Sequence, residues 1–329
     1  MNSAMPVIYG PDPITIEGCQ GSRYWVHEAY AFTGNAEVDE RLSGYPVAVF
    51  QPRGRAPEET PVVIGMQGMC VPYLWNSFIV PTLLDMQIAA VLFETPFAGE
   101  RSMVRNSLGE AATELAPLLD RDVTIDASLL DRMMQAVSAN LQTVAELAAN
   151  RHGLCNGQRA LFGVSLGTLM ASYAFTKDGM GNRLLGTIGH ADLSQFARSY
   201  KPFFAPLITS LPGRMIGRLA KMVFGKSVEA SLDFLAMLDE LSADGDHCTH
   251  ANPVTYHDRV GADRKVRFLV GDSDPVVRVD DARHCASRFS NGDCYVVPGM
   301  THGESLFGPS FIDHVRYYLV TQLSDWRGR

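Results

Sequence analysis

The stretch that decides the fold is QRALFGVSLGTLMASYAF, residues 158–175. Its opening residues, 158–162, form a short and mostly apolar run that predicts a strand, and residues 168–175 predict a helix. Between them, residues 163–167 read Gly-Val-Ser-Leu-Gly, which matches the pattern G-x-S-x-G. A serine on a tight turn from strand to helix is exposed beyond the end of the strand, so we predict that Ser165 is a nucleophile.

Further apolar runs of strand length lie on both sides of this turn. They cover residues 45–50, 61–66, 89–93, 184–188, 266–270 and 294–297. Their nearly continuous apolar character is typical of strands covered on both faces. A long amphipathic helix, capped by Thr124 or Asp126, precedes the turn. Strands that alternate with helices predict an α/β protein with a mainly parallel central sheet and helices on both faces. The opening stretch, to about residue 35, predicts irregular structure or an early hairpin.

The alternation stops between about residues 194 and 260, where the sequence is helical and rich in Phe, Leu, Ile and Met. We therefore predict a core of residues 1–193 and 261–329 with a helical cap of residues 194–260. A cap inserted there would hang over the carboxyl ends of the strands, where α/β sheets bind ligands. Its apolar inner face, including Phe203, Phe204 and Met215, is expected to set substrate choice.

A serine hydroxyl needs a neighbouring base to act as a nucleophile at neutral pH. His302 lies in a turn directly after the last predicted strand, and His190, which follows an earlier strand, is its main competitor. We predict that His302 is the base.

The base needs a carboxylate to orient it. Asp274 lies in the loop after the strand 266–270, and the chain order Ser165, Asp274, His302 is the order of the triad on sheets of this kind. Asp272, in the same loop, and Asp192, after the preceding strand, remain alternatives.

An oxyanion is stabilised by two preorganised backbone N–H groups. One donor is expected to be Leu166, which follows the nucleophile. The other is expected from the turn after the strand 61–66, which reads Gln67-Gly68-Met69-Cys70, and Met69 is the choice.

With these motifs the sequence resembles the α/β-hydrolase superfamily over about residues 45–318. The resemblance rests on residues 67–69, 163–167, 271–277 and 299–303. It implies a serine hydrolase that cleaves an ester or thioester, and the apolar cap favours a small, apolar acyl group as the substrate. The nucleophile is Ser rather than Asp, which argues against haloalkane dehalogenase and epoxide hydrolase chemistry. Many members have His where this chain has Gln67.

A second pattern lies after the strand 89–93. Glu94, Pro96, Gly99 and Arg101 are similar to a poorly characterised subgroup of hydrolase-domain proteins, and this similarity assigns no substrate. Three other readings stay open beside hydrolysis. They are an acyltransferase with the same triad, a C–C bond hydrolase or peptidase, and a non-catalytic ligand-binding protein.

Composition limits the partners and the compartment. The net charge of −8 argues against general binding to nucleic acid, and no run of about 18 apolar residues occurs. The six cysteines are scattered, and no signal peptide is evident, so a cytoplasmic protein with reduced thiols is expected. We expect a small acyl substrate as partner, with the oligomeric state open. His247-Cys248-Thr249-His250 lacks further ligands for a metal, and no nucleotide motif implies a cofactor.

Overall fold

The computed structural model describes residues 5–30, 33–68, 71–96, 101, 126–209, 228–243, 250–303 and 308–327, with side chains for all except 203–209 and 228–235. The strands within these ranges are β1 Val7–Ile16, β2 Cys19–His27, β3 Gly44–Phe50, β4 Val62–Met66, β5 Ala89–Phe93, β6 Arg159–Val164, β7 Arg183–Thr187, β8 Lys265–Gly271 and β9 Gly292–Val297. The α-helices are α1 Ala36–Ser43, α2 Val80–Asp85, α3 Ala127–His152, α4 Leu166–Lys177, α5 Leu193–Thr209, α6 Val228–Ala243, α7 Val279–Ser287 and α8 Pro309–Gln322.

The described strands form one sheet in the order β1-β2-β3-β5-β4-β6-β7-β8-β9. The strands from β5 to β9 are parallel to one another, whereas β1, β2 and β3 join antiparallel at one side. The prediction of a mainly parallel sheet is therefore confirmed. The early hairpin is β1 and β2, which are antiparallel neighbours.

Helices cover both faces of the sheet, as predicted. Alternate residues of a strand point to opposite faces, and in β3 this places Val47 and Val49 in one apolar core and Ala48 and Phe50 in the other. The first core includes α1, α3, α4 and α7, and the second includes α2 and α8. Burial on both faces explains why the central strands read as continuous apolar runs.

The long helix α3 begins and ends at sequence signals. The carboxylate of Asp126, one of its two predicted caps, accepts a hydrogen bond from Leu129 N at 2.8 Å, which satisfies a free amide of the first turn. Gly153 ends the helix in the left-handed conformation, with φ of 69°. Thr124, the other candidate cap, lies outside the described residues. Within the described ranges, no helix combines the length and the apolarity that crossing a membrane requires.

Among the described residues between β7 and β8, where the cap is predicted, the α-helices are α5 and α6. Asp192 Oδ1 caps α5 by accepting from the amides of Ser194 at 3.0 Å and Gln195 at 3.3 Å. Phe196 and Tyr200 of α5 and Leu238 of α6 belong to the same apolar core as α3. The side chains of Phe203 and Phe204, and all of Met215, lie outside the described residues. The boundary between core and cap therefore stays a prediction.

Candidate active site

The turn that carries Ser165 joins β6 to α4 at the centre of the sheet. Ser165 has φ of 52° and ψ of −119°, a region that side chains rarely adopt. The two glycines of the pattern allow the close packing around it. A Cβ on Gly163 would lie 2.4 Å from the carbonyl oxygen of Gly167, and a Cβ on Gly167 would lie 2.4 Å from that of Met66. The strand–turn–helix arrangement predicted for the G-x-S-x-G pattern is therefore present.

Hydrogen bonds hold the strained turn in place. Ser165 N donates to Thr187 O at 2.9 Å, and Thr168 N donates to Ser165 O at 2.8 Å. Thr168 Oγ1 also bridges two strands, with Gly163 O at 2.9 Å and Thr187 O at 3.2 Å. From sequence, Thr168 appeared only as a helix residue. A hydroxyl three residues after the nucleophile, in the first turn of the helix, was the available signal.

The cost of the positive φ at Ser165 can be measured by comparing two substitutions at this position. We expect the Ser165→Gly variant to have a free energy of unfolding about 1 kcal/mol above that of Ser165→Ala, because glycine adopts positive φ without a steric cost. Urea denaturation of the two variants measures the difference. Both lack the hydroxyl, so the comparison isolates the backbone. An alanine variant more stable than the glycine variant would show that the turn stores no strain.

The structure brings Ser165, His302 and Asp274 into one chain of contacts. Ser165 Oγ lies 3.0 Å from His302 Nε2, and His302 Nδ1 lies 2.8 Å from Asp274 Oδ2. The side chain of Asp274 is fully buried, that of His302 is 17% exposed, and Ser165 is 7% exposed. A carboxylate on Nδ1 places the ring proton there, so Nε2 carries the lone pair that can accept the serine proton.

Adjacent strands deliver the acid and the base. Asp274 follows β8 and His302 follows β9, and these strands are parallel neighbours. The other carboxylate oxygen of Asp274, Oδ1, accepts from the amides of Val276 at 2.8 Å and Val277 at 2.9 Å, so the loop itself orients the group. A Cβ on Gly271 would lie 1.9 Å from Met300 O, so only glycine lets the two loops pack this closely.

The competing acids make different contacts. Asp272 Oδ1 accepts from Gly299 N at 2.7 Å, which ties the loop of Asp272 to the loop that carries His302. Asp192 is the cap of α5. Among the described hydrogen bonds, the carboxylate that meets His302 is that of Asp274.

His190, the competing base, is buried and makes no hydrogen bond to Ser165 or Asp274 among the described contacts. Its Nδ1 accepts from Asp192 N at 3.1 Å, and its Nε2 has no partner among the described residues. Burial lowers the pKa of the His190 imidazole, against the opposing effect of the carboxylates of Asp192, Asp281 and Asp274. The ring of His190 packs edge-on beside Phe196, with 6.3 Å between the ring centroids.

Of the two predicted oxyanion donors, the structure describes Leu166 but not Met69. Leu166 is the first residue of α4, where the amides of the first turn have no partner within the helix. Met69 lies outside the described residues. The residue before it, Gly68, runs beside the nucleophile, since a Cβ on Gly68 would lie 3.6 Å from the Cβ of Ser165.

Comparison with known proteins gives matches among solved structures. No protein-family profile and no curated protein sequence matches the chain. An esterase from Pyrococcus furiosus is 14% identical, with a TM-score of 0.54 over 97% of this chain and 92% of its own. Est1E from Butyrivibrio proteoclasticus is 12% identical, with a TM-score of 0.51 over 96% of this chain and 100% of its own. Another structure of Est1E contains ferulic acid.

A thermophilic esterase from Thermogutta terrifontis is similar as well, at 13% identity and a TM-score of 0.50 over 87% of this chain and 96% of its own. Identities of this size establish a shared fold and not a shared activity. The sheet order and the turn between β6 and α4 agree with that likeness. The chain therefore has the α/β-hydrolase fold.

Proposed function

We propose that this protein is a serine hydrolase that cleaves an ester or thioester of a small, apolar acyl group through an acyl-enzyme at Ser165. The observation that carries the proposal is the continuous contact from Ser165 Oγ through His302 to Asp274, with distances of 3.0 and 2.8 Å. The fold supports only the broader statement of ester hydrolysis, because the similar structures are esterases of low sequence identity.

In the first half of the reaction, Ser165 Oγ forms a bond to the carbonyl carbon while His302 Nε2 takes the hydroxyl proton. The carbonyl oxygen becomes an oxyanion, for which the amides of Leu166 and Met69 are the proposed donors. The bond to the leaving alcohol or thiol then breaks, and His302 returns the proton to the departing group. Asp274 stays ionised throughout and stabilises the imidazolium.

In the second half, water attacks the acyl-enzyme, and His302 takes a proton from it. The bond between Ser165 Oγ and the acyl carbon breaks, and the proton passes back to Oγ. The products are a carboxylic acid and an alcohol or thiol.

The segment 194–260 is proposed as a helical cap that selects the acyl group. Its described part supports this in two ways. Helix α5 begins at Leu193, after a short connection from the carboxyl end of β7 at Thr187, and β7 is the strand next to the nucleophile strand β6. Phe196 and Tyr200 on α5 stack with 4.6 Å between ring centroids, and the ring of Phe196 also contacts His190, which lies just before α5 in the chain. These rings are buried in the apolar core, so they fix α5 beside the strand ends, and the choice of an apolar substrate is proposed from the Phe, Leu, Ile and Met content of the segment.

A panel of p-nitrophenyl esters, from acetate to decanoate, tests the proposal. Each methylene that enters an apolar pocket contributes about 0.8 kcal/mol, so kcat/KM is expected to rise by up to about fourfold per methylene until the pocket is full. Methyl ferulate belongs in the panel because of the ferulic acid in Est1E. The Ser165→Ala variant is the control. The absence of turnover on every ester, with labelling by a fluorophosphonate also absent, would contradict the proposal.

A further inference from the structure

One buried amide lies at the point where the chain leaves β4 and passes the nucleophile. Gln67 is 1% exposed and directly precedes Gly68. With the amide oriented so that donors meet acceptors, its nitrogen donates to Phe93 O at 3.1 Å, and its oxygen accepts from Thr95 N at 3.1 Å and Thr95 Oγ1 at 3.2 Å. The opposite orientation would set oxygen against oxygen and donor against donor. The Gln67 side chain therefore links the end of β4 to the residues beyond β5.

The backbone around Phe93 and Thr95, which binds the Gln67 amide, is itself held in place by buried hydrogen bonds. Glu94, between Phe93 and Thr95, donates its amide to Pro46 O at 3.2 Å. Its carboxylate accepts from Arg101 N at 3.1 Å, and its carbonyl oxygen accepts from Arg101 Nη1 at 3.0 Å. Arg101 is fully buried, and its Nη1 also donates to Asn140 Oδ1 on α3 at 2.8 Å. The contacts between Glu94 and Arg101 thus fix the backbone segment to which the Gln67 side chain is hydrogen-bonded.

On its other side, the Gln67–Gly68 backbone packs against the nucleophile turn without spare room. A Cβ on Gly167 would lie 2.4 Å from Gln67 O, and a Cβ on Gly68 would lie 3.3 Å from Val164 O. The path of this backbone is therefore set by Gly167 on one side and by the Gln67 amide on the other. A change in the backbone dihedral angles of Gln67 would move Gly68 relative to Ser165.

We propose that Gln67 is a positioning residue for the turn that leads into the oxyanion donor. Its amide holds the Gln67–Gly68 backbone at a fixed place beside Ser165, and Met69 follows directly in the chain. The inference rests on the proposed function. Since Gln67 is buried and acts through the backbone, its loss is expected to lower kcat and to leave KM nearly unchanged.

Two variants of Gln67 separate positioning from packing. In Gln67→Met, the amide is lost, and we expect kcat to fall by about 10²-fold at every pH, which is the order of loss for a misplaced catalytic contact. In Gln67→Glu, a protonated carboxyl can donate to Phe93 O and accept from Thr95, as the amide does. An ionised carboxylate cannot donate, and it meets the Phe93 carbonyl oxygen.

The ratio of kcat in Gln67→Glu to kcat in the wild type is therefore expected to be near one at low pH and to fall as the pH rises. Burial raises the pKa of a carboxyl, so the fall is expected above about pH 4.3, the ordinary value for Glu. Dividing by the wild type removes the pH dependence of the base itself. The exposed Gln158→Glu variant is the matched control, and its ratio is expected to stay flat.

Thr95 provides an independent check that does not alter Gln67. Thr95→Ser keeps the hydroxyl and is expected to keep kcat within about twofold, whereas Thr95→Val removes Oγ1 and is expected to lower kcat by about tenfold, the scale of one hydrogen bond of about 1.4 kcal/mol. Circular dichroism and urea denaturation show whether each variant folds.

The outcomes separate this inference from the proposed function. A wild-type protein that turns over esters, with a flat Gln67→Glu ratio and unchanged kcat in Gln67→Met, would overturn the role of Gln67 alone. A wild-type protein with no turnover and no labelling by a fluorophosphonate would overturn the proposed function. If Gln67→Met does not fold, the pH dependence of the kcat ratio for Gln67→Glu and the comparison of Thr95→Ser with Thr95→Val still test the role of Gln67.

Discussion

The Ser165→Ala variant is expected to fold like the wild type and to lose turnover by up to about 10⁶-fold, the loss known for removal of a serine nucleophile. Alanine keeps the Cβ, so the backbone of the turn, with φ of 52°, is under the same constraint as before. Oγ alone is missing, and with it the atom that forms the bond to the acyl carbon. Steady-state kinetics on the best ester of the panel measures the loss.

Ser172→Ala is the matched control for that substitution. Ser172 lies on the same helix, α4, and its Oγ donates to Thr168 O at 2.6 Å, away from the proposed chemistry. It is expected to change stability slightly and to leave kcat within about twofold, since one neutral hydrogen bond contributes about 1 kcal/mol to folding. A Ser165→Ala variant that keeps the wild-type rate would refute Ser165 as nucleophile.

Asp274→Asn is expected to lower kcat by about 10⁴-fold while the fold is preserved. The new side-chain oxygen can still accept from Val276 N and Val277 N. Its amide nitrogen, however, would face His302 Nδ1 as a donor, which forces the ring proton to Nε2. With the proton there, Nε2 cannot accept from Ser165. The measurement is kcat with the same ester, together with thermal unfolding to confirm the fold.

Two further Asp to Asn variants decide which carboxylate is the acid. Asn at position 272 can still accept from Gly299 N, and Asn at position 192 can still cap α5, so both variants are expected to keep kcat within about tenfold. A loss in Asp272→Asn or Asp192→Asn that exceeds the loss in Asp274→Asn would assign the acid to that residue instead.

Much of the fold could be predicted because burial leaves a pattern in the sequence. The strand β5 covers the predicted residues 89–93, and the strands around the nucleophile turn lie within two residues of their predicted bounds. Parallel central strands are apolar on both faces, so each appears as a run that ends at a turn. The acid and base loops follow from the same rule, because each begins where such a run ends.

What the sequence did not show depends on strand order and on the direction of side chains. Gln67 and Thr95 are 28 residues apart in the chain and meet only because β4 and β5 are neighbours in the sheet. The sequence showed Glu94 and Arg101 as part of a motif but did not indicate that they contact each other. The sequence correctly puts His190 just after the end of a strand near the nucleophile. Its ring, however, accepts a hydrogen bond from Asp192 N and makes none to Ser165 among the described contacts. The periodicity of the sequence cannot reveal the direction of a side chain.

A covalent adduct on the nucleophile is the most direct measurement. Mass spectrometry of the intact wild-type protein after reaction with a fluorophosphonate is expected to show one added phosphonyl group, and peptide mapping is expected to place it on Ser165. Ser165→Ala treated in the same way is expected to stay unmodified, and turnover is expected to fall in proportion to the labelled fraction. A wild-type protein that hydrolyses esters while its adduct lies on another residue, or forms none, would contradict an acyl-enzyme at Ser165.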